Sequence, residues 1–146
     1  MKPRSPECDF CMNLEPERRR KDPLWIADLD VSTAFLSDNQ ICPGYAILVY
    51  NKGHATELFQ LEAQDRQAYM EDLTKVAKAI NDAYHPHKMN YELLGNIVPH
   101  LHWHIIPRQT TDPVHLHWPI WGKDYVEVKL SHEEYLEVIE KIRKQL

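Results

Sequence analysis

The apolar and polar positions of the chain fall into four blocks: a strand-rich first third, one long helix, a second strand pair and a short terminal helix. Residues 24–27, 31–36 and 45–50 are short runs of strong β propensity and predict three strands. Between 62 and 84 the period changes. Tyr69, Leu73, Val76, Ala77, Ile80 and Tyr84 recur at three- and four-residue intervals, the spacing of an amphipathic helix with one buried face. Such a stripe is core packing, not a cofactor box. Pro86 stops the helix and leaves His85 and His87 as solvent-exposed end residues. Strands over 91–98 and 100–106 follow, broken by Pro99. Ser131-His132-Glu133-Glu134 is a capping box that opens a last helix, with Tyr135, Leu136, Val138, Ile139 and Ile142 available for packing. Residues 1–23, rich in Pro and charge, read as a loop. The Pro- and aromatic-rich stretch 109–122 reads as an ordered loop packed on the body of the protein or on a partner subunit.

Within the last strand, His100-Leu101-His102-Trp103-His104 sets three imidazoles at strict two-residue spacing. Successive side chains of a strand point to opposite faces, so the histidines share one face and Leu101, Trp103 and Ile105 the other. One face packs a core and the other presents imidazoles. Two chemistries suit such a row: covalent catalysis by an attacking imidazole, and a metal centre with an open position for water. At the N-terminus Cys8-Asp9-Phe10-Cys11 is a Cys-x-x-Cys, which alone fits a redox motif, half of a zinc site, or two ordinary cysteines. His115 and His117 in the tail read equally as loop histidines or as residues reaching the active site.

Composition narrows the class. At 146 residues the chain, taken as a single domain over 1–146, is long enough to bury a real core. Three cysteines, an odd number, argue against a disulfide framework. No apolar run approaches a membrane span and the N-terminus lacks a signal peptide's apolar stretch, so a soluble, cytoplasmic protein is expected. A net charge of −5 gives no general attraction to nucleic acid, and an anionic substrate must rely on local groups. Arg18-Arg19-Arg20-Lys21, the one dense basic run, reads as a solvated loop rather than a phosphate-steering patch.

His100 to Ile106 match, at all seven positions, the His-φ-His-φ-His-φ-φ motif that defines the histidine triad superfamily, and the chain resembles that family well beyond it. The segment from Leu36 through Cys42-Pro43-Gly44-Tyr45 to Val49 looks like the family's nucleoside-binding loop and strand, and Asn51-Lys52-Gly53-His54 like the stretch after it. The resemblance implies an α+β fold, a mostly antiparallel sheet with a long packed helix and a C-terminal helix. It also implies a homodimer, with neither nucleic acid nor membrane as partner.

For chemistry, the resemblance implies attack on a nucleotide α-phosphate. Carried over by position, His102 is the nucleophile that forms a nucleotidyl-histidine, His104 hydrogen-bonds the phosphate oxygens, and His100 orients the site. No catalytic metal is then required. Gly95 and Asn96 would donate to phosphate, although Ile97 lacks the hydroxyl the family places there. Asn90 would contact the leaving-group side, and Asn39, ahead of Asp38, the ribose hydroxyls. Tyr45 stands where some dinucleotide hydrolases of the superfamily have a histidine. Some bacterial members hold a structural zinc, and the corresponding ligands here would be Cys8, Cys11, His54 and His100. The expected substrate is a dinucleoside polyphosphate, ahead of a nucleoside 5′-phosphoramidate. The reading from another class is a nucleotide- and zinc-binding interaction module with little turnover.

Overall fold

The computed structural model describes residues 3–122 and 124–146. Its sheet is built from β1 (Trp25–Asp28), β2 (Ser32–Leu36), β3 (Ala46–Tyr50), β4 (Lys88–Glu92) and β5 (His102–Arg108), all antiparallel, in the order β1-β2-β3-β5-β4. Two short helices, α1 (Asp9–Asn13) and α2 (Pro16–Arg19), precede it. They replace the loop expected over 1–23; Pro16 opens α2, where its fixed φ and missing N–H cost nothing. Arg19 and Arg20 of the basic run pair with Asp28 on β1, so the run fastens this segment to the sheet.

The long helix α3 (Ala63–Tyr84) and the terminal α4 (His132–Arg143) pack on one face of the sheet. The predicted stripe faces inward: Tyr69, Leu73, Val76, Ala77 and Ile80 are buried against Leu48, Leu101 and Ile105. Tyr69 also donates its hydroxyl to Leu48 O at 2.8 Å. Asp72, which the apolar stripe does not reveal, is buried and accepts from Val31 N, Asp30 N and Ser32 Oγ at 2.7 to 3.2 Å. It pins the β1–β2 turn to the helix, each carboxylate oxygen being satisfied as burial demands. The Ser131 capping box forms as expected, with Ile139 and Ile142 buried, whereas Leu136 stays exposed.

The second strand region differs from expectation. The strand predicted over 91–98 runs instead from Lys88 to Glu92. α3 ends on His85, which adopts the left-handed conformation (φ 47°), so the chain reverses at once and pairing with β5 starts three residues earlier. Gly95, at φ 67°, then turns the chain out of the sheet before Pro99. His85 and His87 are exposed, as the sequence implies.

On the face opposite the helices, cross-strand pairs Val49–His102, Ile47–His104 and Glu92–His104 set imidazoles beside apolar and acidic neighbours. A second apolar cluster, Ile41, Cys42, Tyr45, Ile106, Val114 and Ile120, packs the tail against this face. Arg108, 1% exposed, ties that tail down. Its guanidinium pairs with Asp112 at 2.7 Å and donates to Val114 O, Trp118 O and Asn90 Oδ1.

Candidate active site

The three imidazoles are buried, and a backbone carbonyl on one nitrogen fixes the tautomer of His100 and of His102. His102 Nδ1 lies 2.6 Å from His100 O. A carbonyl only accepts, so Nδ1 carries the proton and Nε2 keeps a lone pair. His104 Nδ1 lies 2.6 Å from Tyr45 Oη. Burial drives the Tyr45 phenol far above its ordinary range, so the phenol stays neutral; with its O–H donating to Nδ1, His104 carries its proton on Nε2. His100 Nε2 donates to Tyr50 O at 2.8 Å, leaving the Nδ1 lone pair toward two thiols. Thus His102 offers a nucleophile and His104, its ring centroid 4.8 Å away, offers a donor.

Burial also favours the neutral rings. It pulls His102 below the usual imidazole value against the opposing pull of its bond to His100 O. Burial, joined by the neighbouring His102, holds His104 at about 4. Near neutral pH both rings are uncharged, which is the form that can attack and the form whose tautomer matters.

Around this pair the described residues form two concavities. One, of about 260 Å³, is lined by Phe35, Ile47 and Val49 of the sheet, Asp38 of the following loop, and Phe10 and Leu14 of the N-terminal segment. Its apolar walls suit a flat heterocycle, and Asp38 at its edge, half-committed through an ion pair with Lys129, is the nearest group for hydroxyls. Asn39, favoured over Asp38 from sequence for that role, is 4% exposed and committed elsewhere. Its amide donates to Tyr125 Oη and Val126 O and accepts from Ile41 N and Val128 N, fastening the tail. The second cleft, about 870 Å³, is lined by Glu92, Leu94, Trp118, Trp121 and Asp124 among others. Trp121 meets His104 edge-on at 5.2 Å, stacks on Tyr125 and donates its Nε1–H to Glu92.

Other expected positions are distributed as follows. Gly95 lines a small recess with His100 and His102, while Asn96 is exposed and Ile97 is 95% exposed. Asn90 accepts from Arg108 and shares the triad's face of the sheet through its pairing with Ile106. His115 and His117 are exposed and pack on each other at 4.5 Å, with no described contact to the triad. Tyr45, Phe10 and Trp121 are the neighbours whose roles sequence reasoning missed. Each reaches the triad from a distant segment, and only the Gly-Tyr departure at Tyr45 gave any signal.

Behind His100, the donor atoms of Cys8, Cys11, His54 and His100 all lie within 4.8 Å of one another. His100 Nδ1 is 3.5 Å from Cys8 Sγ and 3.4 Å from Cys11 Sγ, and His54 Nδ1 is 3.4 Å from Cys11 Sγ. Sulfur and nitrogen ligands of one tetrahedral zinc would stand about 3.6 Å apart. The backbone carbonyl on His100 Nε2 is the usual outer partner of a ligating imidazole. Burial raises the Cys11 thiol, so without a cation it stays protonated. The donor set therefore fits a zinc ion.

Comparison with known proteins agrees with this geometry. The HIT domain family profile matches residues 18–111. The adenosine 5′-monophosphoramidase hnt1 of Schizosaccharomyces pombe is 30% identical over 111 residues, 75% of this chain and 83% of that protein. Protein hit of Bacillus subtilis is 34% identical over 80 residues, so the match spans about half of each, 51% of this chain and 54% of that protein. Among solved structures, histidine triad proteins of Bradyrhizobium japonicum (27% identity, TM-score 0.77) and Sinorhizobium meliloti (29%, 0.78) each align with 90% of this chain and 96% of their own. A diadenosine triphosphate hydrolase of Plasmodium falciparum, at 16% identity and TM-score 0.65 over 85% of this chain and 76% of its own, shares the fold. With the triad strand, the neighbouring cavities and a profile match over most of the sheet all in agreement, the chain belongs to the HIT domain family.

Proposed function

We propose that the protein hydrolyses a nucleotide at its α-phosphate through a nucleotidyl-His102 intermediate, with a nucleoside 5′-phosphoramidate as preferred substrate. The observation that carries this reading is the 2.6 Å bond from His102 Nδ1 to His100 O, which leaves the lone pair on His102 Nε2, with the His104 ring 4.8 Å away. The nucleoside lies in the cavity of Phe35, Ile47 and Val49 with its ribose toward Asp38. His102 Nε2 attacks phosphorus and the bond to the leaving group breaks, the leaving amine taking up a proton from solvent in the open second cleft. The His102 Nδ1–H bond to His100 O steadies the imidazolium that forms, and His104 donates to a phosphate oxygen as charge builds there. Water then cleaves the phosphorus–nitrogen bond to release nucleoside monophosphate and free His102. Gly95, beside the triad, presents backbone to the phosphate.

Two observations support an amine over the polyphosphate leaving group that the sequence favoured. The acidic residues described in the second cleft, Glu92 and Asp124, repel a multiply charged anion and suit a neutral or cationic group. The S. pombe relative carries the name of a phosphoramidase. Cys8, Cys11, His54 and His100 would hold a zinc ion, which would supply a fixed charge tying the N-terminal segment to the triad strand. Replacing His102 with Ala tests the reading. Turnover of a nucleoside phosphoramidate should fall by several orders of magnitude while nucleoside monophosphate still binds; near-normal turnover would refute it.

A further inference from the structure

One five-residue helix serves two sites. α1 carries Cys11 and follows directly on Cys8, and Phe10 stands between these two thiols in sequence. The thiols turn toward His54 and His100, while the Phe10 ring meets His102 edge-on at 5.0 Å and His100 at 5.8 Å. With Asn13 and Leu14, Phe10 forms the outer wall of the cavity whose floor is Phe35, Ile47 and Val49. A helix this short has no stability of its own, and its N-cap residue makes no side-chain capping bond. Its flanks are tethered, by Arg4 to Asn51 O at 3.1 Å and by Arg19 to Leu14 O at 2.9 Å. The turn that bears Phe10 is held by the two thiols on its inner side and by Arg18, which donates to Met12 O at 3.3 Å, on its outer side.

We infer that occupancy of the Cys8, Cys11, His54 and His100 set by a metal ion and occupancy of the nucleoside cavity are one coupled equilibrium, with Phe10 as the coupling residue. Ordering the thiol turn sets the Phe10 wall before the nucleotide arrives. A heterocycle packed on Phe10 in turn holds the thiols toward the two imidazoles. Because coupling of two binding equilibria is reciprocal, each partner tightens the other by the same factor, about 5- to 10-fold for a coupling at the low end of the usual range. This inference rests on the zinc assignment above, and the experiment separates the two.

The full chain is first assayed for zinc content and stoichiometric zinc uptake. Zinc affinity is then measured by competition with a chromophoric chelator, with and without saturating adenosine monophosphate, correcting for metal held by free nucleotide. Adenosine monophosphate is separately titrated into the zinc-free and zinc-loaded protein by calorimetry. The expected result is the same several-fold tightening in both directions. Phe10→Ala should retain one zinc yet reduce the coupling to less than twofold, and Phe10→Leu, which keeps an apolar wall, should restore part of it. Zinc and nucleotide that both bind without affecting one another would overturn the inference while leaving the metal site standing. Full coupling in Phe10→Ala would overturn the role of that residue. Absence of zinc binding would remove the metal assignment and the inference together, and absence of nucleotide binding would remove the functional reading as well.

Discussion

The 2.6 Å contact from Tyr45 Oη to His104 Nδ1 leaves Nε2 as the nitrogen that would face a phosphate in the proposed reaction. Deleting that hydroxyl frees the imidazole to change tautomer. Tyr45→Phe should therefore lower kcat by about 10-fold, the worth of one ordinary hydrogen bond, with nucleoside monophosphate affinity held within about twofold. Steady-state kinetics with product inhibition reads both quantities; an unchanged kcat would show that the tautomer is fixed by another group. The burial that keeps His104 neutral also costs stability in acid. An unfolded imidazole binds its proton near pH 6.5, the folded ring only at about 4. Between those values the unfolded state takes up more protons, so stability falls as pH drops through this window and His104 contributes no further loss below it. At pH 5 the loss from His104 alone is about 2 kcal/mol relative to pH 7.5. Urea unfolding at the two pH values, compared with a His104→Gln variant that lacks this dependence, measures it. The triad itself was legible because strand alternation is a local rule. Asp38 against Asn39 was not, because both stand before the same Pro-Gly and only the tail reveals that Asn39 is buried against Tyr125, 86 residues on, while the exposed Asp38 meets Lys129.

At the scale of elements, periodicity found α3, the capping box found the start of α4, and β propensity found the first three strands within a residue or two. The error lay at the helix-to-strand junction. Pro86 correctly marked a stop, but nothing local said that His85 would take a left-handed turn and return the chain into β4 within three residues. That conformation is unfavourable for a residue with a Cβ and free for glycine. Because His85 is exposed, His85→Gly should stabilise the fold by about 1 kcal/mol, seen as a higher urea midpoint at unchanged slope. A lower midpoint would mean that the imidazole makes a contact worth more than the strain. The N-terminal helices were read as loop for a related reason. Single turns carry no periodic signal, and α1 and α2 hold their shape through Cys8, Cys11 and the Arg19–Asp28 pair rather than through propensity.

Taken whole, the molecule divides labour across one sheet. α3 and α4 cover one face with the main core, and the other face carries the triad between the cavity of Phe35, Ile47 and Val49 and a cleft walled by the tail. The chain carries a net charge of −5, so in the proposed reaction a phosphate would have to be held by oriented donors rather than by a general positive field. No helix among the described residues is long and apolar enough to cross a membrane. The central claim is that His102 Nε2 becomes covalently nucleotidylated during turnover. Rapid mixing of the protein with a nucleoside phosphoramidate, an alkaline quench that preserves phosphorus–nitrogen bonds, and peptide mass spectrometry test it most directly. The account predicts a transient nucleoside monophosphate adduct on His102 that forms and decays fast enough to account for turnover. Turnover at full rate with no adduct on His102 at any time, or with the adduct on another residue, would contradict it.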